Sequence, residues 1–410
     1  MNLVTVNIES IRIGQPLPFS LRDETGILVA QKGFVVGDRS ELDLMIGGRA
    51  NLFIDVAESE DHRRAYMGKL FELVNGDKPL GDIAVTQMSV DDVDNGRDKN
   101  NDNEPDWLDL QVQTQAMVRD NNTETFRPRL NHLWAQLKRH TTFNADATLF
   151  ALMHLSASEL RFYSATHAML VSAMCSMAAR DVLKWPVEME DALGLAALTM
   201  NIGMTDLQDR LARQKEPPSP DQRQQIDQHV ALSVTMLKQR GITDPLVLEA
   251  VQHHHTKTPG PLADRPPGQR LARLIQRADM FAACLAPRAS RTPRSPAMAM
   301  QASYFDENKK IDEAGAALIK AVGIYSPGGY VRLATNEIAV VVKRGLNTTT
   351  PRVAVVINRS GMPTTDYIIR DTSRADYRIA ASVPHHDVKV KLNLERLLPL
   401  TKAPPSDRLW

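Results

Sequence analysis

Two cysteines, Cys175 and Cys284, stand among 410 residues. Neither belongs to a Cys-x-x-Cys pair, so a disulfide framework is excluded and a reducing, cytoplasmic compartment is expected. Long apolar runs are missing as well. No window reaches the roughly 18 uncharged apolar residues that a membrane span needs. The opening MNLVTVNIESIRIG has no basic segment leading into an apolar one, so no signal peptide is expected either. Charge of one sign is also lacking, because 49 Lys and Arg balance 49 Asp and Glu. Without a positive field or a basic stripe interleaved with aromatics, nucleic acid is not an expected partner. The remaining composition, 43% hydrophobic and 24% charged, is that of a folded chain, and its length exceeds a single core.

The pattern along the chain predicts a multidomain α+β protein, a central all-α helical bundle flanked by small β modules at both ends. Residues 1–74 open with short period-2 runs, VTVNI, IRIG, GILVA, FVV and LFIDV, bounded by Gly and Asp, and read as an N-terminal β-rich accessory module. Residues 75–122 are rich in Asp, Asn and Gly and read as an acidic flexible linker. Within it Asp98, Asn100, Asp102, Glu104, Asp106 and Asp109 fit the spacing of a calcium loop. Asn103 stands where that loop needs Gly and Asp109 where it needs Glu, so the solvated linker is preferred. Residues 123–324 show apolar residues at three- and four-residue spacing in segment after segment, the mark of helices. Ser219-Pro220-Asp221 opens one of these and Gly241 closes it. Residues 325–402 return to short strands, GGYVRLATNEIAVVVKRG, PRVAVVINRSG, TTDYIIRD and HDVKVKLNLERLLPL, a small sheet or barrel whose apolar runs, such as Ile338 to Val342, offer faces to protein partners. Residues 403–410 are a tail.

The histidines are distributed so that one pocket could collect them. His167 opens a helix, Met200 to Met204 end another, His229 lies in the middle of a third, His253, His254 and His255 end a fourth, and Asp279 sits in a fifth. Imidazoles and carboxylates projecting from facing helices toward one point make a metal centre in a bundle. The alternative is that the neutral histidines are hydrogen-bonded bundle residues, with Asp279 paired to one of them.

From about Phe162 to Ser303 the order of these residues resembles the HD-GYP family of metal-dependent phosphodiesterases that hydrolyse cyclic di-GMP. His167 matches that family's early His, and Ile202 and Gly203 match part of its H-D-I-G-K motif. Ile226, His229, Ser233 and Leu237 match its lone-His helix, His253 and His254 its H-H-E, and Ala272, Arg273, Leu274, Ala278, Asp279, Phe281 and Ala283 its last helix. The departures are as specific. Met200 and Asn201 replace the His-Asp pair, Met204 the Lys, and His255 the Glu, while Thr256 to Pro261 replace the D-G-x-G-Y-P loop.

The resemblance implies a site built from His167, His229, His253, His254 and Asp279. Asn201 has the shape of Asp without its charge, and Met200 offers a soft thioether, so two hard dications are not expected there. One divalent ion, Zn²⁺, Mn²⁺ or Fe²⁺, is the expected cofactor. Arg288, Arg291 and Arg294 lie in PRASRTPRSP, where family members place an arginine loop near substrate phosphates, and guanidinium forks match phosphate oxygens. A solvated basic loop is the competing reading. The functional expectation is a catalytically impaired cytoplasmic signalling module that binds a cyclic dinucleotide. The alternative is an active phosphodiesterase with a rearranged mononuclear site.

Overall fold

The computed structural model describes residues 3–47, 51–56, 62, 66, 69, 86–90, 105–158, 160, 162–286, 289, 293–390 and 392–402. The chain forms two compact units, Met1–Val112 and Gln113–Trp410.

In the first unit β1 (Leu3–Thr5), β2 (Leu21–Arg22), β3 (Leu28–Ala30) and β4 (Phe53–Asp55) make an antiparallel sheet in the order β1-β4-β2-β3. Phe19, Leu21, Val36, Leu42, Leu52 and Ile54 form its core. A helix the period-2 reading did not anticipate, α1 (Arg39–Ile46), sits between β3 and β4. Asp38 caps it by accepting from the Glu41 amide, and Gly47, at φ 53°, ends it. A second unanticipated helix, α2 (Trp107–Val118), lies inside the stretch read as linker. Asp106 accepts the Leu108 and Asp109 amides at its start, and Asp109 pairs with Lys32 at 3.1 Å. These two members of the calcium-loop pattern are thus engaged by a helix start and an ion pair, and its other members lie outside the described residues.

The second unit contains the bundle: α3 (Thr123–Phe143), α4 (Ala145–Ser158), α5 (Tyr163–Met177), α6 (Val187–Thr199), α7 (Thr205–Arg213), α8 (Pro220–Gln239), α9 (Pro245–His253), α10 (Pro267–Leu285), α11 (Pro296–Tyr304) and α12 (Glu313–Val322). Every residue of α5 is buried, as expected of a helix that is apolar all round, and it packs against α4, α6 and α10. Capping follows the sequence signals. Ser219 and Gln222 exchange side-chain and backbone bonds in a capping box at α8.

Beyond the helices, β5 (Tyr330–Leu333), β6 (Ile338–Lys343), β7 (Arg352–Ile357), β8 (Pro363–Asp371) and β9 (Ile379–Val383) form an antiparallel sheet in the order β8-β7-β6-β5-β9. Tyr330, Val340, Val342, Ala354 and Val356 pack with Phe150 of α4 and with Leu397. Val331, Leu333, Ala339, Val341, Val353 and Val355 make a core on the other side. Both faces of the run 338–342 are therefore occupied, and residues 339–342 are buried, so this run is not the open partner face expected of it. The last expected strand is different too. Around HDVKVKLNLERLLPL the chain forms a 3-10 turn, His385–Asp387, and then a helix, α13 (Leu394–Lys402). Val388, Val390 and Leu392 alternate and bury like a strand, but Leu394, Leu397 and Leu398 follow at helical spacing. Among the described residues no helix is long and apolar enough to cross a membrane.

Candidate metal centre

Three elements bring histidines together. His229 lies in the middle of α8, on the face that carries the buried Ser233 and Leu237. α9 starts at Pro245 behind the Asp244 cap and ends at His253, so His254 and His255 follow on the turn that leaves the helix. α8 can approach the end of α6 closely because residue 203 is Gly. A Cβ there would stand 2.7 Å from the His229 carbonyl and 2.8 Å from the Ser233 amide nitrogen. The Gly203 amide donates to Ser233 Oγ at 3.0 Å.

His229, His254 and His255 each offer a ligand atom, and these atoms lie within 4.8 Å of one another. The rings of His254 and His255 are 4.1 Å apart, and that of His229 is 5.4 Å from His254 and 5.1 Å from His255. Second partners fix the tautomers. His229 Nδ1 is bonded to the Ile226 carbonyl, and His254 Nδ1 to the Val251 carbonyl at 2.7 Å. A carbonyl only accepts, so in both rings the proton sits on Nδ1 and the Nε2 lone pairs point at each other, 3.4 Å apart. Protonation does not relieve the clash. Burial pushes His254 down to about 3, assisted by the charge of His255, and burial also lowers His229. Two imidazole nitrogens bound at about 2.0–2.1 Å to one tetrahedral ion stand about 3.3 Å apart. The donor set, its backbone-oriented tautomers and its spacing fit one borderline divalent ion.

His167 and Asp279 form a separate pair beside this cluster. His167 Nε2 donates to Asp279 Oδ1 at 2.7 Å. Burial pushes the Asp279 carboxyl up, but the His167 bond and the charges of His167, His254 and His255 outweigh it and hold the group at about 2. Asp279 is therefore an anion tied to one imidazole, within electrostatic reach of two others. His167 Nδ1 is buried and has no hydrogen-bond partner among the described residues. His167 lines a cavity of about 10 Å³ together with Ser164, Met200, Asn201 and Gln208, about the size of one water. Asn201 precedes the single turn Ile202–Met204 without capping it through its side chain.

Other expected residues are elsewhere. His253 is half-buried, with Nδ1 3.3 Å from Thr256 Oγ1, and it is His255 that accompanies His229 and His254. Nothing in the run of three histidines marks which two join His229, and of those two His254 is buried while His255 is exposed. Arg273 is consumed by Asp312, Glu307 and Gln276, and Arg277 by Glu307 and Asp312. Arg288 and Arg291 lie outside the described residues. Arg294 is exposed, and its amide donates to the Cys284 carbonyl at 3.0 Å.

No protein-family model matches the chain. Over 236 residues it is 28% identical to the cyclic di-GMP phosphodiesterase PA4108 of Pseudomonas aeruginosa, a match that takes in 55% of each protein. The chain thus spans about half the length of the curated relative it matches. Among solved structures it is similar to Bd1817, a HDG"Y"P protein from Bdellovibrio bacteriovorus, with a TM-score of 0.41 and 18% identity, over 77% of this chain and 98% of the other.

Proposed function

We propose that this chain, a relative of the HD-GYP phosphodiesterases, is a signalling module that holds one divalent ion and binds a cyclic dinucleotide without hydrolysing it efficiently. The observation that carries the reading is that Met200 and Asn201 line one small cavity with His167 and that no carboxylate among the described residues lines it with them. Holding two hard dications a few ångströms apart requires carboxylate charge. Asn201 has none, and the nearby anion, Asp279, is taken by His167. One divalent ion, when bound by His229, His254 and His255, would supply Lewis acidity and a fixed positive charge for a phosphate ligand. The protein's own contribution is to orient two neutral imidazoles, those of His229 and His254, through the Ile226 and Val251 carbonyls.

A mononuclear phosphodiesterase is the second reading. It is favoured by one feature, three imidazoles grouped without a fourth protein ligand among the described residues, the donor set of some catalytic zinc sites. The rate of cyclic di-GMP hydrolysis by protein reconstituted with Zn²⁺, Mn²⁺ or Fe²⁺ separates the two. The first reading expects a rate at least about 10³-fold below that of an enzyme with the intact motif, roughly 4 kcal/mol of lost barrier lowering. Steady turnover that a chelator stops and His254→Ala abolishes would overturn it in favour of the second.

A further inference from the structure

In the C-terminal sheet, away in sequence from the histidines, arginines from several segments gather round one buried carboxylate. Glu337, immediately before β6, is 4% exposed. It accepts from Arg370 Nη2 at 3.0 Å and from Thr335 Oγ1 at 2.7 Å, and Arg359 Nε lies 3.8 Å away. The Arg370 guanidinium also lies over the Tyr377 ring at 4.6 Å, with that of Arg374 at 5.8 Å from the same ring. Arg332 reaches the turn before Glu337, donating to Asn336 Oδ1 at 3.0 Å. Arg378, next to Tyr377, is exposed. Against these cations stand Glu337, Asp376 and Asp371, and Asp371 is engaged by the amide and hydroxyl of Ser373.

Stapling the sheet requires only the Arg370 to Glu337 pair, which ties β8 to the turn between β5 and β6. Arg359, 62% exposed, and Arg374, also exposed, add little to stability, since exposed ion pairs contribute little. What they share is a connection to Arg370. Arg359 lies against the buried Glu337 and Arg374 against the Tyr377 ring, both of which Arg370 also contacts, and planar guanidinium forks held in this way suit phosphate oxygens. The cation-bearing tyrosine adds a flat surface of the kind on which a base stacks.

We infer that the Arg359, Arg370, Arg374 and Tyr377 surface is a nucleotide-phosphate site, in which Arg359 and Arg374 hold the phosphate and Arg370 with Glu337 positions them. The site shares no residue with the histidine cluster, so it and the metal reading stand or fall separately. Titration calorimetry on the full chain tests it with 5′-GMP, inorganic phosphate and a single-stranded oligoribonucleotide as probes. With a chelator present to keep the histidine cluster free of metal, the expected result is that 5′-GMP binds the wild-type protein. It should bind the double variant Arg359→Ala with Arg374→Ala at least about tenfold more weakly, with unchanged circular dichroism, and Arg374→Lys should recover only part of the loss. Inorganic phosphate should bind more weakly than 5′-GMP. Absence of 5′-GMP binding at millimolar concentration, equal affinity in the double variant, equal affinity for inorganic phosphate, or binding of the oligonucleotide alone would each overturn the inference.

Discussion

Two unprotonated imidazole nitrogens facing each other at 3.4 Å repel unless a cation lies between them, and this local imbalance supports the proposed ion. It assigns different fates to three adjacent residues. His255→Ala and His254→Ala should each lower bound metal, by about tenfold or more in affinity, whereas His253→Ala should leave it unchanged, as read by elemental analysis after dialysis. Loss of metal in His253→Ala alone would place the wrong histidine in the cluster. The sequence made His229 and His254 legible because each falls in an ordered series of helix positions. It could not separate His253 from His255, because the choice depends on where α9 stops winding. The arginines were harder to read. Nothing in a string of letters says that Arg273 and Arg277 have partners, and only the fold brings Asp312 and Glu307 against them. The C-terminal arginines came from scattered segments, so no stripe announced them.

Among the elements, the contact between α8 and the turn after α6 sets the position of His229. Gly203→Ala would place a methyl carbon within 2.8 Å of α8 backbone, and a helix backbone cannot yield as a side-chain tip can. The expected cost is about 1–3 kcal/mol of stability, together with weaker metal binding because α8 must move away from His254. Chemical denaturation and metal titration on the same variant check both, and a variant with wild-type stability and affinity would contradict the placement of α8. Matches at Gly203, Ser233 and Ile226 therefore have separate physical reasons: close approach, an amide acceptor and a tautomer-fixing carbonyl. Helices were legible throughout the bundle because their apolar spacing is long and regular. α1 and α13 escaped because each is short and follows a run that alternates, so period 2 masked them until tertiary packing decided.

At the scale of the whole molecule, the seam between α4 and the C-terminal sheet predicts how stability depends on pH. His385 Nε2 donates to the Gly328 carbonyl at 2.9 Å, and the ring meets Tyr330 edge to face at 5.0 Å. Burial lowers both His385 and His154 of α4 from 6.5 to about 4. Between those values the unfolded chain binds more protons than the folded one, so stability is full above pH 6.5, falls as the pH drops toward 4, and then levels off. The slope is at most about 1.4 kcal/mol per pH unit for each histidine. Urea midpoints at pH 7 and pH 5 should differ less in His385→Gln than in the wild-type protein, and an equal difference would remove this histidine from the account. The succession of sheet, bundle and sheet was readable from periodicity alone, whereas the burial of residues 339–342 on both faces was not, since a run of valines looks the same whether or not a second layer covers it. Under the proposed function the histidine cluster holds one ion where an intact pair would hold two. Native mass spectrometry of the metal-loaded chain tests it most directly: one ion per wild-type chain, none in His254→Ala and two in Met200→His with Asn201→Asp are the predicted counts, while two ions in the wild-type chain, or none with all three histidines intact, would contradict it.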